Sequence, residues 1–398
     1  MLNPTPMIRD HVAGAGETGP WPAVLDAVLS AGLADAAVQE IAQWPGYAPT
    51  PLHGLDALAR TLELGAVSYK DEGQRLGLGS FKALGGAYAV LRLAAERVGA
   101  DDLAAVRGGR YRRDLADMTV ATATDGNHGR SVAWGAQMAG CTCRIYIHAA
   151  VSLGRKRAME MLGAEVVRIE GDYDASVRRC AAEAAANGWT VVSDTSYDGY
   201  REIPRLVMAG YSVLASELLQ QMADRRPTHL FVQAGVGGLA AAVAARLWQG
   251  WGVKRPRIVV VEPTRAACLT ASARAGKPTA VPLDQETVMA GLSCGEVSLL
   301  AWDVLARAAS DFVTIDDEPV AAAMRLLASG QAGGGPIVAG ESGVPGLIAL
   351  IAAAADAELR RALALGPDSH VLLLGCEGAS DPEIYRRMVG PEADRLLA

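Results

Sequence analysis

The sequence predicts an α/β protein with parallel sheets flanked by helices. The chain has 398 residues and is half hydrophobic, which is enough to bury a sizeable core and to form two domains. Short runs rich in Val and Ile alternate with alanine-rich stretches, as strands alternate with helices in a parallel sheet. The sequence has no heptad array or fixed-period repeat, which argues against coiled coils and solenoids.

The apolar runs are the predicted strands. The stretches between them, such as 181–186 and 240–248, are rich in alanine, which favours the helical state. In an open sheet of this kind, ligands bind at the carboxyl ends of the strands. The predicted strands are Thr119–Ala123, Arg144–His148, Glu165–Ile169, Thr190–Val192, Leu230–Val232, Arg257–Val261 and Val371–Leu374.

Composition and charge exclude several classes of protein. The net charge of -7 and the scattered basic residues argue against a nucleic-acid partner. The first twenty residues carry prolines and acidic residues where a secretory signal needs an apolar core, and the six cysteines form no dense framework. The most apolar stretch, 230–245, is too short to cross a membrane. We therefore expect a cytoplasmic protein that acts on a small molecule.

A lysine opens a predicted helix directly after a glycine-bearing loop. This residue is Lys82, in the segment Gly79–Gly86. The helix dipole disfavours positive charge at that end, and a neutral amine is the better nucleophile toward an aldehyde. A solvent-exposed lysine explains the spacing equally well, so the residues themselves leave both interpretations open.

Two further glycine-rich segments differ in their context. Gly235-Val236-Gly237-Gly238 lies between a predicted strand and a predicted helix, where converging N–H groups and the helix N-terminus favour a phosphate over a merely tight turn. The segment Gly14–Gly19 fits the dinucleotide fingerprint, but no strand is predicted before it. We expect Gly14–Gly19 to be a mobile N-terminal segment.

Two aspartates follow predicted strands. Asp125 precedes Gly126-Asn127-His128 at a strand–helix junction, where it would repel a substrate carboxylate and therefore suits a second substrate amine. A helix cap is the alternative role for Asp125. Asp194 follows the strand Thr190–Val192, at an edge where open sheets bind ligands, although a turn or cap residue is the simpler interpretation.

Together these segments resemble the fold-type II pyridoxal-phosphate enzymes, which are similar to the tryptophan synthase β-subunit, and within them the diaminopropionate ammonia-lyase family. Asp125 is the discriminating residue, because threonine and serine dehydratases of this fold usually carry a small residue there. The shared segments are Gly46–Leu52, Lys70–Glu72, Phe81-Lys82, Leu84–Tyr88, Thr124–Arg130, Asp194-Thr195, Gly199-Tyr200, Ile203-Pro204, Met208, Gly210-Tyr211, Gly235–Gly237, Met289–Leu292 and Gly340–Gly343.

The resemblance implies a cofactor and an activity. Pyridoxal 5′-phosphate would form a Schiff base with Lys82, and 2,3-diaminopropionate would undergo α,β-elimination to pyruvate and ammonia. Asn127 would contact the phenolic oxygen of the cofactor and Gly235–Gly238 its phosphate, while Asp125 and Asp194 would face the substrate. The remaining implied cofactor contacts are Phe81, Glu341 and Cys376. A serine or threonine dehydratase of the same fold is the alternative activity.

The resemblance also implies finer details. Lys82 would take the α-proton of an L substrate and Asp125 that of a D substrate. Cys376 stands where the family pattern has threonine, and a thiol can still be a weak hydrogen-bond partner for the pyridine nitrogen. Cys268 and Cys294 could pair as a disulfide or remain free thiols. The fold type implies a homodimer whose subunits have a large domain, 1–84 and 215–398, and an inserted small domain, 85–210.

Overall fold

The computed structural model describes residues 2–3, 5–124 and 126–397. The described residues of 1–31, 49–74 and 214–398 form one compact unit, and those of 32–48 and 75–213 form a second. The predicted small domain, 85–210, lies within the second unit, which also includes 32–48 and 75–84. Lys82 therefore belongs to the second unit, and the predicted domain bounds remain a prediction.

The elements are numbered in chain order. The strands are β1 (Ile8–Ala13), β2 (Leu52–Gly54), β3 (Ala66–Asp71), β4 (Thr119–Ala123), β5 (Thr142–Ile147), β6 (Glu165–Arg168), β7 (Thr190–Val191), β8 (His229–Gln233), β9 (Arg257–Pro263), β10 (Asp311–Ile315) and β11 (His370–Gly375). The helices are α1 (Asp26–Leu29), α2 (Ala31–Ile41), α3 (Asp56–Thr61), α4 (Lys82–Val98), α5 (Leu103–Arg107), α6 (Asn127–Ala139), α7 (Leu153–Glu160), α8 (Tyr173–Asn187), α9 (Glu202–Gln221), α10 (Gly238–Trp251), α11 (Cys268–Ala275), α12 (Leu299–Ala308), α13 (Val320–Ala328), α14 (Pro345–Ala355), α15 (Ala357–Ala362), α16 (Pro382–Val389) and α17 (Glu392–Leu397). None of the described helices is both long and apolar enough to cross a membrane.

The sheet of the first unit has the strand order β1-β10-β9-β8-β11-β3-β2 within the described residues. Its interior pairings are parallel, and only the two edge strands, β1 and β2, pair antiparallel. β8, β9 and β11 are almost entirely buried, because helices such as α14 cover the sheet. The last strand in the chain, β11, lies between β8 and β3.

The sheet of the second unit has the order β6-β5-β4-β7, and all its described pairings are parallel. α6 and α8 pack on β4 and β5. β4 and β7 are neighbours, so the segments that follow their carboxyl ends emerge side by side. Those segments carry Thr124, Asn127 and Asp194, which places several predicted site residues at one edge of this sheet.

Each predicted strand overlaps an observed one, but the interpretation of Gly14–Gly19 is wrong. β1 ends directly before Gly14, and the N–H groups of Gly14 and Gly16 donate to the carbonyls of Ser310 and Ala309 at 2.8 and 2.9 Å. A Cβ at position 14 would clash with the Ala309 carbonyl oxygen, so glycine is required for this approach. The segment is therefore held in place as an extension of the sheet edge, and no helix follows it directly as a dinucleotide fold would need.

Candidate active site

Lys82 lies at the first position of α4, as the sequence predicts. Its Nζ donates a hydrogen bond to Asp194 Oδ2 at 2.6 Å. The side chains of Lys82 and Asp194 are 22% and 18% exposed, so the pair is partly shielded from water but still accessible to a small molecule. The simpler interpretations, a solvated lysine and a turn aspartate, do not describe these two residues.

Small residues fix the start of α4. A Cβ at Gly86 would lie 2.8 Å from Ser131 Oγ of α6, so glycine allows the two helices to approach closely. The Ser131 hydroxyl accepts a hydrogen bond from the Ala87 N–H at 2.9 Å and donates to the Ala83 carbonyl at 3.2 Å. These contacts anchor the first turn of α4 to α6 and thereby set the position of the Lys82 backbone.

The backbone beside Asp194 is held by a tyrosine. Tyr200 Oη accepts a hydrogen bond from the Ser193 N–H at 3.0 Å and donates to the Val191 carbonyl at 2.8 Å. The hydroxyl thus bridges the residue before Asp194 and the last residue of β7. This bridge restricts the direction in which the Asp194 side chain leaves the sheet.

A buried histidine completes the group around Asp194. His128 Nε2 lies 2.9 Å from the Val192 carbonyl, and because a carbonyl only accepts, Nε2 carries the proton. His128 Nδ1 lies 3.9 Å from Asp194 Oδ2. Burial lowers the pKa of His128, while Asp194 raises it and Lys82 lowers it further.

The charge state of Asp194 follows from its neighbours. Burial acts to raise the pKa of Asp194, but the Lys82 ammonium and its hydrogen bond, together with the imidazole of His128, outweigh burial and hold that pKa well below its usual range. At neutral pH the group therefore contains an anionic Asp194 and a neutral His128. The arrangement can bind a cation or exchange a proton.

The loop between β4 and α6 is shaped by a threonine. Thr124 Oγ1 accepts hydrogen bonds from the N–H groups of Gly126 and Gly129 at 3.1 and 3.3 Å. Gly126, with a φ of +153°, stands immediately before Asn127, the first residue of α6. The backbone turn therefore places Asn127 at a helix N-terminus. Asp125 lies outside the described residues.

The predicted phosphate loop lies in the first unit, between β8 and α10. Gly237 has a φ of +97° and precedes Gly238, where α10 begins without a side-chain cap. A Cβ at Gly235 would lie 3.0 Å from Cys294 Sγ and 3.2 Å from the Gly291 carbonyl oxygen. Backbone N–H groups at an uncapped helix N-terminus, in a cradle that side chains would fill, suit a phosphate. These residues fit the phosphate of pyridoxal 5′-phosphate.

The other predicted contacts are also buried. Cys376 follows β11, and its thiol donates to the Ser342 carbonyl at 3.0 Å. Glu341, which directly precedes Ser342, begins the 3-10 turn Glu341–Gly343 and is 3% exposed. Phe81, in the second unit, packs edge-on against Tyr211 with ring centroids 4.7 Å apart. Cys268 and Cys294 are not joined by a disulfide in this structure.

The predicted site residues thus form two groups. Lys82, Asp194, Asn127 and Phe81 belong to the second unit, whereas Gly235–Gly238, Glu341 and Cys376 belong to the first. Sequence reasoning missed the contacts made by His128, Tyr200 and Ser131. Each of these residues except Ser131 stands in a segment that carried the family resemblance, which was the available signal, but their partners depend on tertiary structure.

Comparisons with known proteins agree on one family. The family model for pyridoxal-phosphate dependent enzymes matches residues 43–377. The diaminopropionate ammonia-lyase of Salmonella typhimurium is 39% identical over 358 residues, which cover 87% of this chain and 89% of that protein. The solved structure of the holo diaminopropionate ammonia lyase of Escherichia coli has a TM-score of 0.89 and 36% identity, and the match covers 96% of this chain and 97% of that one.

A second solved structure of the Escherichia coli enzyme, in complex with an aminoacrylate-PLP azomethine reaction intermediate, has a TM-score of 0.87 and 36% identity. The match covers 97% of this chain and 98% of that one. These similarities extend over nearly the whole chain and confirm the predicted fold class.

Proposed function

Because the chain belongs to the diaminopropionate ammonia-lyase family of pyridoxal-phosphate dependent enzymes, we propose that it converts 2,3-diaminopropionate and water into pyruvate and two molecules of ammonia. Its cofactor is pyridoxal 5′-phosphate. The observation that carries the proposal is the Lys82 amine, placed at the N-terminus of α4 and held by Asp194 at 2.6 Å. A lysine in that position can react with the aldehyde of the cofactor.

The proposed cofactor contacts follow the family resemblance. We propose that Lys82 binds it covalently, that the N–H groups of Gly235–Gly238 bind its phosphate, and that Asn127 binds its phenolic oxygen. Phe81, Glu341 and Cys376 are the other proposed contacts, and the Cys376 thiol would be a weak hydrogen-bond partner for the pyridine nitrogen. When bound, the cofactor supplies an electron sink that stabilises negative charge at the substrate α-carbon.

Side chains of the protein would carry out the proton transfers. The Lys82 amine, once free, would take the α-proton of the L substrate at Nζ. Asp125 would take that of the D substrate, a role supported by its place in sequence directly before Gly126. General bases of this kind contribute about 10² to 10⁴ in rate.

Asp194 would serve the departing amine. A β-amine leaves as ammonia only when it carries an additional proton, and the anionic Asp194 favours that ammonium form by charge attraction. The low pKa of Asp194, which Lys82 and His128 maintain against burial, keeps the carboxylate ionised over the physiological range. Serine and threonine lack this second amine, so Asp194 favours diaminopropionate as substrate.

The decisive experiment counts products. The purified holoenzyme is supplied with D-diaminopropionate, L-diaminopropionate, serine and threonine, and the 2-oxo acid and ammonia are measured together. We expect two ammonia per pyruvate and faster turnover with diaminopropionate than with either hydroxy amino acid. Faster turnover of serine or threonine, with one ammonia per 2-oxo acid, would instead establish the dehydratase alternative.

A second measurement addresses the covalent link. Borohydride reduction followed by peptide mass analysis should show a phosphopyridoxyl adduct on Lys82 and none on Lys70, the other lysine of the shared segments.

We also infer that the enzyme acts as a homodimer in the cytoplasm. Family membership supports the dimer, and the six cysteines, which form no disulfide, support the compartment. Sedimentation velocity on the holoenzyme tests the dimer.

A further inference from the structure

The imidazole of His128 has one nitrogen, Nδ1, without a hydrogen-bond partner among the described residues. The residue is 4% exposed, and Nε2 is used by the bond to the Val192 carbonyl at 2.9 Å. Nδ1 is buried and has no hydrogen-bond partner among the described residues. Leaving a buried polar atom without a partner is unfavourable, so its retention needs a reason.

A nearby carboxylate gives that reason. Asp194 Oδ2 lies 3.9 Å from His128 Nδ1 and accepts the hydrogen bond from Lys82 Nζ at 2.6 Å. The same carboxylate oxygen is therefore close to both the amine and the imidazole. We propose that His128 accepts, through Asp194, the ammonium proton that Lys82 gives up, so that Asp194 remains anionic. This role rests on the proposed function, in which Lys82 must become a free amine.

The proton transfer is balanced in charge. When Lys82 is protonated and not joined to the cofactor, the group holds an ammonium on Lys82, a carboxylate on Asp194 and a neutral imidazole on His128. The proton leaves Nζ along the hydrogen bond to Oδ2 and is passed to Nδ1, so that one N–H bond breaks and another forms. The lone pair remains on Nζ, and the net charge of the group is unchanged. A movement of about 1 Å brings Oδ2 and Nδ1 within hydrogen-bond distance.

The charges around His128 act in the direction that this transfer requires. Lys82, from α4, disfavours the protonated imidazole, and Asp194, from the segment after β7, favours it. Loss of the Lys82 charge therefore increases the proton affinity of His128. On the other packed elements, Arg155 of α7 lies against Gly126, and the buried Tyr211 of α9 interacts electrostatically with both Lys82 and Asp194.

A second buried histidine provides an internal control. His229 Nε2 donates to the Leu363 carbonyl at 2.8 Å, as His128 does to Val192, but its Nδ1 lies 2.7 Å from Thr228 Oγ1. Burial lowers the pKa of His229 as it does that of His128. The two imidazoles thus differ mainly in whether Nδ1 already has a partner.

The test observes the imidazoles directly. Long-range ¹⁵N–¹H NMR spectra of histidine-labelled holoenzyme and of the variants Lys82→Ala and Lys82→Ala with Asp194→Asn are recorded from pH 5.5 to 9, without substrate. We expect neutral, Nε2-protonated His128 in the wild type, an upward shift of its titration midpoint in Lys82→Ala, and reversal of that shift in the double variant. His229 should be the same in all three. An Nδ1-protonated His128, or a midpoint insensitive to Lys82, overturns the proposal.

A kinetic arm separates proton transfer from packing. In His128→Gln the amide can still donate to the Val192 carbonyl but cannot take up a proton. We expect kcat for diaminopropionate to fall about tenfold to a hundredfold with little change in KM, and the solvent deuterium isotope effect to increase. Wild-type kcat in His128→Gln would show a packing role only and overturn the proposal. Failure of the wild type to use diaminopropionate would overturn the proposed function but leave the substrate-free NMR result intact.

Discussion

Two lysine–carboxylate pairs, one in each unit, have the same length and different surroundings. Lys70 Nζ lies 2.6 Å from Glu217 Oε2 in the first unit, and Lys82 Nζ lies 2.6 Å from Asp194 Oδ2 in the second. The Lys70 side chain is 0% exposed, whereas that of Lys82 is 22% exposed. The distance alone therefore does not tell a structural ion pair from a reactive one.

The hydrogen bonds of the two amines explain the difference. Lys70 Nζ also donates to the Thr50 carbonyl and to Gln221 Oε1, both at 2.9 Å, so all three of its N–H groups are used. Glu217 Oε2 accepts in addition from the Thr50 N–H at 3.1 Å. This saturation fixes Lys70 as a link between β3, α9 and the segment before β2. Lys82 stands instead at a helix start that remains open to solvent.

The largest expected effect comes from removing the amine of Lys82, which is only partly shielded from water. Lys82→Ala should reduce pyruvate formation by about 10⁴, the upper end of what an acid–base group contributes, because no other group supplies the amine. Steady-state rates with diaminopropionate measure the loss. The matched control is Lys156→Ala, which removes a lysine from the exposed pair with Glu160 and should keep wild-type rates. A Lys82→Ala enzyme with a tenth of wild-type activity would erase the distinction between the two pairs.

Removing the buried amine of Lys70 should lower the stability of the fold instead of the activity. Lys70→Met leaves Glu217 buried without its cation, and the free energy of unfolding should fall by about 3–5 kcal/mol. Urea denaturation measures this change. Lys156→Met, on the exposed face of α7, should lower stability by only about 0.3–0.5 kcal/mol. Equal effects of the two substitutions would show that Lys70 is not a structural link.

Tyr200 tests how firmly the reactive pair is positioned. Tyr200→Phe leaves the Ser193 N–H and the Val191 carbonyl without their partner, so the free energy of unfolding should fall by about 2 kcal/mol. Turnover should decrease as well, because Asp194 adjoins Ser193. Tyr197→Phe is the matched control, since its ring stacks on that of Tyr200 at 5.0 Å and is 55% exposed. Similar losses in both variants would show that the bridge made by the Tyr200 hydroxyl is not the cause of the effect.

The smallest expected effect is the pH dependence that buried histidines contribute. Burial lowers the pKa of His229 in the folded protein, so the unfolded chain binds a proton at a pH where the folded one does not. Stability should therefore fall as pH drops below the ordinary histidine range, by at most about 1.4 kcal/mol per pH unit for each such group.

Urea denaturation at pH 8, 7, 6 and 5.5 in the wild type and in His229→Gln isolates this contribution. Glu262, whose pKa burial raises to about 7, changes stability in the opposite direction, since the unfolded carboxyl ionises first as the pH rises. That contribution is common to both proteins and cancels in the difference. Parallel curves for the two proteins would contradict the expected role of His229.

The sequence predicts the strands that contain a continuous apolar run and misses two strands that carry a buried charge. β8, β9 and β11 each contain such a run and were found, and so were β5 and β6, whose charged residues Arg144 and Glu165 are not buried. β3 and β10 were not, because one contains Lys70 and the other begins with Asp311. The charges of these strands are satisfied by distant residues: Lys70 by Glu217, 147 positions away, and Asp311 by Arg257 at 2.6 Å. A local pattern contains no information on such partners.

The candidate site shows the same division. The positions of Lys82 and Gly235–Gly238 follow from local signals, a helix start and a strand–glycine–helix junction. The contact of Lys82 with Asp194 joins residues 112 positions apart and requires α4 to pack beside the β4–β7 pair. His128 stands in a recognised segment, yet its relation to Asp194 depends on the same pairing. The roles of the single residues remain predictions, and the observed distances identify the contacts to test by mutation.

The position of β11 has a consequence for synthesis on the ribosome. β8 and β3 hydrogen-bond to opposite sides of β11, so they cannot be joined until residues 370–375 have left the exit tunnel. At about 5–20 residues per second, the nascent chain presents two unpaired strand edges for roughly ten seconds, and such edges template aggregation. All of the second unit is translated by residue 213 and can fold early. The strand edges of the first unit are therefore exposed to aggregation for longer during synthesis than those of the second.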